Sequence, residues 1–208
     1  MEQPSEDVIL AATAWRTNAD LIADALRLHS PSADSRILDV TFGRGNWWAD
    51  PEAQRVTGHD IRIDGVDFRS LPYDDGSWDV VAYDPPYVSV GGRSTTTLQG
   101  GDYHDRYGLA DAPRSPADLQ RVIDDGLVEV TRVTRPGGII LCKCQDYVSS
   151  GRLWIGTYHT ISAGIAAGLS VRDRMEHVAR SSRPQPGGRR QVHARRNLST
   201  LIVFQKSK

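Results

Sequence analysis

Trp78-Asp79-Val80-Val81-Ala82-Tyr83-Asp84-Pro85-Pro86-Tyr87 is a mostly apolar run that ends in a carboxylate, two prolines and an aromatic ring. Preceded by the turn residues Asp74-Asp75-Gly76, its apolar part reads as a buried strand. Proline ends such a strand because it has no N–H to give the ladder. The residue before each proline is held extended, so the Asp84 carboxylate and the Pro85 carbonyl become fixed acceptors at the strand's C-terminal end. Tyr87 adds a flat face beside them. Two fixed acceptors and a stacking surface suit a planar ring that carries an exocyclic amino group.

Outward from this strand, the pattern alternates between strands and helices. Residues 36–40 predict a first strand, residues 54–59 a second that ends at Asp60, and Gly65-Val66-Asp67-Phe68 a short third. Ser5-Glu6-Asp7 can cap one helix, and Asn18 or Asp20 another, with Leu21, Ile22, Ala25 and Leu26 at helical spacing. Ser115-Pro116 opens a long amphipathic helix to about Arg135, with Leu119, Val122, Ile123, Leu127, Val130 and Val133 on one side. Pro136-Gly137-Gly138 is expected to stop it and lead into a strand through Cys142 and Cys144. A helix over 158–169 and strands near 171–178 and 198–204 complete the chain. This order predicts an α/β fold, a doubly wound and mostly parallel sheet closed by an antiparallel hairpin.

The composition sets bounds on the rest. A chain of 208 residues, 39% hydrophobic and 25% charged, suits one α/β domain over residues 1–208. No apolar stretch approaches a membrane span, and the acidic Met1-Glu2-Gln3-Pro4-Ser5-Glu6-Asp7 lacks a signal peptide's basic start. A cytoplasmic protein is expected. Cys142 and Cys144 fall on one face of their strand, where neither a bridge nor a metal site follows, and read as buried structural thiols.

Asp39-Val40-Thr41-Phe42-Gly43-Arg44-Gly45 follows the first strand. Gly43 and Gly45 permit a tight turn and close ligand approach at the C-terminal edge of the sheet, where open α/β sheets bind their ligands. A dinucleotide fingerprint needs a third glycine to open a helix toward the pyrophosphate. Trp48 stands in that place. Acids at three strand ends (Asp39, Asp60, Asp67) fit a cationic ligand with a ribose diol better than a phosphate. Only Asn46-Trp47-Trp48-Ala49-Asp50 is left for the first crossover helix before Pro51, so a very short helix is expected there.

Together these motifs resemble the small bacterial or phage-borne class I methyltransferases that use S-adenosylmethionine to methylate adenine N6 or cytosine N4 in DNA. The resemblance rests on the glycine loop, the acids, Asp84-Pro85-Pro86-Tyr87, the turn Arg135-Pro136-Gly137-Gly138 and Arg195-Arg196-Asn197-Leu198-Ser199-Thr200-Leu201. It implies a seven-stranded, Rossmann-like sheet with S-adenosylmethionine as cofactor. It also implies that Asp84, Pro85, Pro86 and Tyr87 are catalytic, with adenine N6 preferred to cytosine N4. Asp39, Phe42, Gly43 and Gly45 match the loop on the cofactor's methionine side. Asp60 matches the acid that binds the ribose hydroxyls, and Asp67 the acid that meets the adenine amino group.

No separate target-recognition domain is present in the sequence pattern, which leaves two segments as substrate contacts. Residues 88–115, rich in Gly, Ser, Thr and Tyr, can form a loop over the site. Residues 180–197 are strongly cationic. Residues 177–208 contain eight basic and no acidic side chains, against 17 basic and 26 acidic in residues 1–176. Arg183, Arg189, Arg190, Arg195 and Arg196 are therefore expected to meet the phosphates of a nucleic acid. DNA is the favoured partner. Alternatives are the same chemistry on rRNA or tRNA, a protein glutamine or small-molecule amine as acceptor, or a non-catalytic nucleic-acid-binding module. Lys143-Cys144-Gln145-Asp146 ends the fifth strand at the same edge, and no role follows for it from sequence.

Overall fold

Val80, Val81, Ala82 and Tyr83 are fully buried because the strand they form is central and covered on both faces. In a computed structural model of the chain, the described residues are 11–12, 15–48, 55–87, 113–178, 192–194 and 197–208, with the backbone alone of 97–98 and 101–102. In chain order the elements are α1 (Asn18–His29), β1 (Ile37–Asp39), β2 (Val56–Gly58), β3 (Trp78–Tyr83), β4 (Thr97–Leu98), β5 (Gly101–Asp102) and α2 (Pro116–Val133). They continue with β6 (Thr134–Cys144), β7 (Tyr147–Ser149), β8 (Arg152–Trp154), α3 (Gly156–Ala166), β9 (Leu169–Val178) and β10 (Leu198–Lys206).

The main sheet has six strands in the order β2-β1-β3-β6-β10-β9. β2, β1, β3 and β6 run parallel, with Ile37 opposite both Val56 and Val80, and Val81 opposite Ile140. β10 runs antiparallel between β6 and β9, which gives the expected mostly parallel sheet with an antiparallel hairpin. One face carries Leu38, Val81, Tyr83, Ile140, Cys142 and Phe204 under the apolar side of α2. The other carries Ile37, Val80, Ala82, Leu141 and Val203 under α1, Trp15, Trp47 and Trp48.

Local chemistry sets the helix ends. Ser115 and Asp118 form a reciprocal capping box at α2, with Pro116 at its first position. Three carbonyls at the other end of α2, those of Thr131, Arg132 and Thr134, accept from Lys206 Nζ at 2.7–3.3 Å. The helix therefore stops at Val133, before the Pro136-Gly137-Gly138 expected to end it, and β6 begins at once. α1 is capped by Thr17, whose hydroxyl accepts from the Asp20 N–H at 3.1 Å, not by Asn18 or Asp20. The helix expected over 158–169 spans Gly156–Ala166 instead. A helix capped by Ser5 lies outside the described residues.

Three further expectations change. Gly65-Val66-Asp67-Phe68 forms no strand, so the sheet has six strands among the described residues, not seven. Asp64 explains this: its Oδ1 accepts the N–H groups of Asp60 and Val66 at 3.3 and 3.1 Å, closing a turn that competes with a ladder. Residues 46–48 are turn, not helix. A hairpin absent from the sequence reading, β7–β8, turns at Ser150 and Gly151, both with positive φ. No helix of the described residues is long and apolar enough to cross a membrane.

Gly126 on α2 is where the helix meets the central strand. A Cβ there would stand 2.1 Å from Tyr83 Oη and 2.9 Å from the Phe68 ring, while Tyr83 Oη donates to the Ile123 carbonyl at 3.2 Å. Gly126→Ala gains about 1 kcal/mol of helix propensity and forces overpacking that costs about 1–3 kcal/mol. A lower urea midpoint is expected. An unchanged or higher midpoint would show that α2 has room to move off the sheet.

Candidate active site

The C-terminal ends of β1, β3 and β6 lie side by side. Ile37, Val80, Ala82, Ile139 and Leu141 face α1 and the paired tryptophans. Side chains alternate along a strand, so Asp39, Asp84 and Lys143 continue on that same face. Tyr83 is opposite Cys142, which brings Asp84, one residue on, level with Lys143.

Asp39 is 2% exposed and bonded on both oxygens. Its Oδ1 accepts the Thr41 N–H at 2.9 Å and the Thr41 hydroxyl at 3.3 Å, and its Oδ2 accepts the Trp48 indole N–H at 2.8 Å. Thr41 Oγ1 in turn accepts the backbone N–H of Asp84 at 2.8 Å. The acid of the first strand, its glycine loop and the proline tetrad thus form one bonded unit. Sequence reasoning missed Thr41 and Trp48. The signals available were a hydroxyl two residues after an acid, which favours a local turn, and an indole N–H that needs an acceptor once buried.

Burial pushes the Asp39 carboxyl up to about 7, its bonds from Trp48 and Thr41 act the other way, and the charge of Asp84 raises it further. Between its ordinary value of 3.8 and about 7, the folded protein holds a proton here that the unfolded chain has lost. The stability tied to neutral Asp39 is therefore fully present below the ordinary carboxyl range and is lost as pH rises through about 7. Urea midpoints should fall between about pH 4 and pH 7, and Asp39→Asn should flatten that slope whatever it does to absolute stability. An equal slope in the variant would assign the dependence to other groups.

Gly43 and Gly45 have φ of +54° and +70°, left-handed values that glycine adopts at least cost. They differ in what they face. A Cβ on Gly45 would lie 3.0 Å from the Phe42 ring, and one on Gly58 2.4 Å from it. Phe42 is thus seated between two glycines. Gly43 instead looks toward β2's end, where a Cβ would be 3.6 Å from Asp60 Oδ2 and from Arg62 Nη2. The two loops are tied by the His59 N–H to the Asp39 carbonyl at 2.8 Å and the Phe42 N–H to the His59 carbonyl at 2.9 Å.

Asp60 and Asp67 share a pattern the sequence reading overlooked: each is followed two residues on by an arginine that grips it. Asp60 Oδ1 accepts the Arg62 N–H and Nε–H, and Oδ2 accepts Nη2–H, all at 2.9 Å. Asp67 accepts the Arg69 N–H at 2.9 Å, Nε–H on both oxygens, and Nη2–H at 2.6 Å. Burial acts to raise the Asp67 carboxyl, but the Arg69 guanidinium outweighs it and holds the group below its usual range. Phe68, between this acid and its arginine, packs on Tyr83 with centroids 5.4 Å apart.

In the tetrad, Pro85 and Pro86 are buried while Asp84 and Tyr87 are half-buried. Tyr87 Oη is buried and has no hydrogen-bond partner among the described residues. Arg183, Arg189, Arg190, Arg195 and Arg196, and most of 88–115, lie outside the described residues. His193, from the same cationic connection, meets the Gly151 carbonyl at the tip of β7–β8 at 2.8 Å.

No family model and no curated protein matches the chain. Solved structures do. A candidate methyltransferase from Bacillus halodurans aligns with 90% of this chain and 99% of its own at 13% identity, TM-score 0.55. The N-methyltransferase NodS of Bradyrhizobium japonicum, in complex with S-adenosylhomocysteine, aligns over 91% and 87% at 12% identity, TM-score 0.51. A candidate DNA modification methylase from Thermus thermophilus aligns over 66% of this chain at 15% identity, TM-score 0.42, and this chain spans 49% of its length. Over nearly its whole length, the chain has the fold of the class I methyltransferases.

Proposed function

We propose that the protein is an S-adenosylmethionine-dependent methyltransferase that modifies an exocyclic amino group of a nucleobase in DNA, adenine N6 before cytosine N4. The observation that carries this reading is the bonded unit Asp39–Thr41–Asp84, which joins a glycine loop to a proline-fixed acceptor at one sheet edge. Fold alone does not give function; these side chains are what supports the reading.

The residues fit the cofactor at two places and less well at a third. Asp39 is buried at the sheet edge, where burial and the neighbouring Asp84 charge make its ionised form costly; a cationic ligand relieves that cost. Asp60 keeps acceptor capacity on Oδ2, the oxygen toward Gly43, because a carboxylate accepts more than the three bonds Arg62 gives it. Asp67 has both oxygens engaged by Arg69 and offers less. When bound, S-adenosylmethionine supplies a methyl carbon made electrophilic by a sulfonium.

The chain's own residues do the rest. An aromatic amine is a weak nucleophile because its lone pair is delocalised into the ring. The Asp84 carboxylate and the Pro85 carbonyl each accept one N–H and so hold the nitrogen lone pair out of conjugation. Buried Pro85 and Pro86 keep both acceptors rigid, and the gain is one of positioning and preorganisation. Tyr87 stacks on the base, which in a duplex must first leave the helix at a cost of about a few kcal/mol. The cationic segment 177–208 supplies the phosphate contacts.

The test is transfer of a labelled methyl group to purified genomic DNA and to total RNA in parallel. Label in DNA supports the reading. Label in RNA alone moves the same chemistry to RNA, since the tetrad reads an amino group and not a sugar. With neither polymer labelled, the proposal fails.

A further inference from the structure

Among the described residues, Lys143 is the one buried charged side chain at this edge that the proposed chemistry leaves unused. It is 6% exposed on β6, and a lysine is almost never buried so far without a partner. Its Nζ donates to Asn18 Oδ1, at the start of α1, at 2.6 Å, and stands 5.6 Å from the centroid of the Trp47 ring. Both contacts hold an ammonium in place without neutralising it. Asn18 is uncharged, and an aromatic face attracts the cation without cancelling its charge.

The charge therefore looks elsewhere. On β6 itself, burial pushes the Cys144 thiol up to about 12 and raises the Cys142 thiol too, so both are neutral near pH 7. From β10, the residue opposite Lys143 is the apolar Leu201. Glu176 on β9 is already ion-paired with Arg174 at 2.5 Å and accepts from the Thr200 hydroxyl at 2.7 Å. From β1, Asp39 has Trp48 and Thr41. Asp84, one residue past β3 and so level with Lys143, is the acid that acts on it: burial lowers Lys143, and the Asp84 charge opposes that lowering.

We propose that Lys143, fixed by Asn18 and Trp47, is the positioning counter-ion of Asp84, keeping that carboxylate ionised beside Asp39 and ready to accept from a substrate amine. The spatial order across the sheet is Asp39, Asp84, Lys143: two acids and one ammonium on three adjacent strands. One base cannot fully compensate two acids at one edge. β6, which carries Lys143, adjoins β3, which leads into Asp84, and not β1, which carries Asp39. Asp39, also the more deeply buried, is therefore the member that takes up a proton, in keeping with a carboxyl raised to about 7. The catalytic part of this role rests on the methyl-transfer reading; the charge partnership does not.

The experiment is a 13C titration of the Asp84 side-chain carboxyl, by NMR on Asp-labelled protein, in wild type, Lys143→Met and Lys143→Arg, with no substrate or cofactor added. Lys143→Met should raise the Asp84 midpoint by about one pH unit or more, and Lys143→Arg should restore much of it. If Lys143→Met does not fold, Asn18→Ala, which frees the ammonium from its anchor, should move the midpoint in the same direction by less. An Asp84 midpoint unchanged in the folded variants would overturn the proposal, even with methyl transfer intact in wild type. A shifted midpoint in a protein that methylates nothing would support the ion pair and sink the reading of the reaction instead. In an active protein, the acid limb of the kcat/KM profile should move with the NMR midpoint.

Discussion

Replacing Asp84 by alanine is expected to lower methyl transfer by about 100- to 1,000-fold or more while leaving the affinity for S-adenosylmethionine within a few-fold. In the proposed reaction the carboxylate is one of two acceptors for the amine, and it is preorganised by Pro85 and by the Thr41 bond to its own backbone N–H at 2.8 Å. That backbone bond survives the substitution, so the glycine loop and Asp39 keep their arrangement. Asp84→Asn should lie between, because one acceptor oxygen remains and the charge is lost. Single-turnover rates together with calorimetric cofactor binding separate the two effects. Loss of cofactor binding in Asp84→Ala would place the residue in the cofactor pocket and take away its role toward the amine. An undiminished rate would remove it from the chemistry.

The second large effect concerns affinity. Changing Arg189, Arg190, Arg195 and Arg196 to glutamine should weaken DNA binding and reduce the dependence of log K on log salt by up to about 3–4, at about 0.9 for each phosphate no longer neutralised. Residues 1–176 carry an excess of nine acids, which repels a polyanion, while residues 177–208 carry eight basic groups and no acid. Almost all of the attraction must then come from the C-terminal segment. His193, bonded to the Gly151 carbonyl, ties this segment to the hairpin that follows β6. Base specificity should change little, since phosphate contacts position without reading sequence. If the salt slope stays at its wild-type value, the nucleic acid is held by another surface.

Much of this arrangement was legible in the sequence where the signal is local. The apolar run before Asp84 reads as a buried strand, and the alternation of strands and helices argues for a mostly parallel sheet; both are found. Ser115-Pro116 with Asp118 three residues after Ser115 announces a helix start, and the capping box is there. The failures arise where distant groups decide. α2 ends at Val133 because Lys206, from the opposite end of the chain, takes its last carbonyls. The third strand is lost because Asp64 closes its backbone into a turn. The site was legible as a set of acids and glycines but not as a bonded unit. Nothing in the spacing says that Thr41 spans Asp39 and Asp84, or that Trp48 reaches Asp39. The Asp-x-Arg repeats at Asp60 and Asp67 were visible, yet a list of acids at strand ends does not reveal that each carries its own guanidinium.

The central claim is that the reacting atom is an exocyclic amino nitrogen held by Asp84 and Pro85. Mass spectrometry of nucleosides from DNA treated with the protein and methyl-labelled S-adenosylmethionine tests it most directly. The account predicts label in N6-methyladenine, or failing that N4-methylcytosine, and none in the Asp84→Ala reaction. Label on a ring carbon or ring nitrogen, or equal labelling by the Asp84→Ala protein, would contradict it.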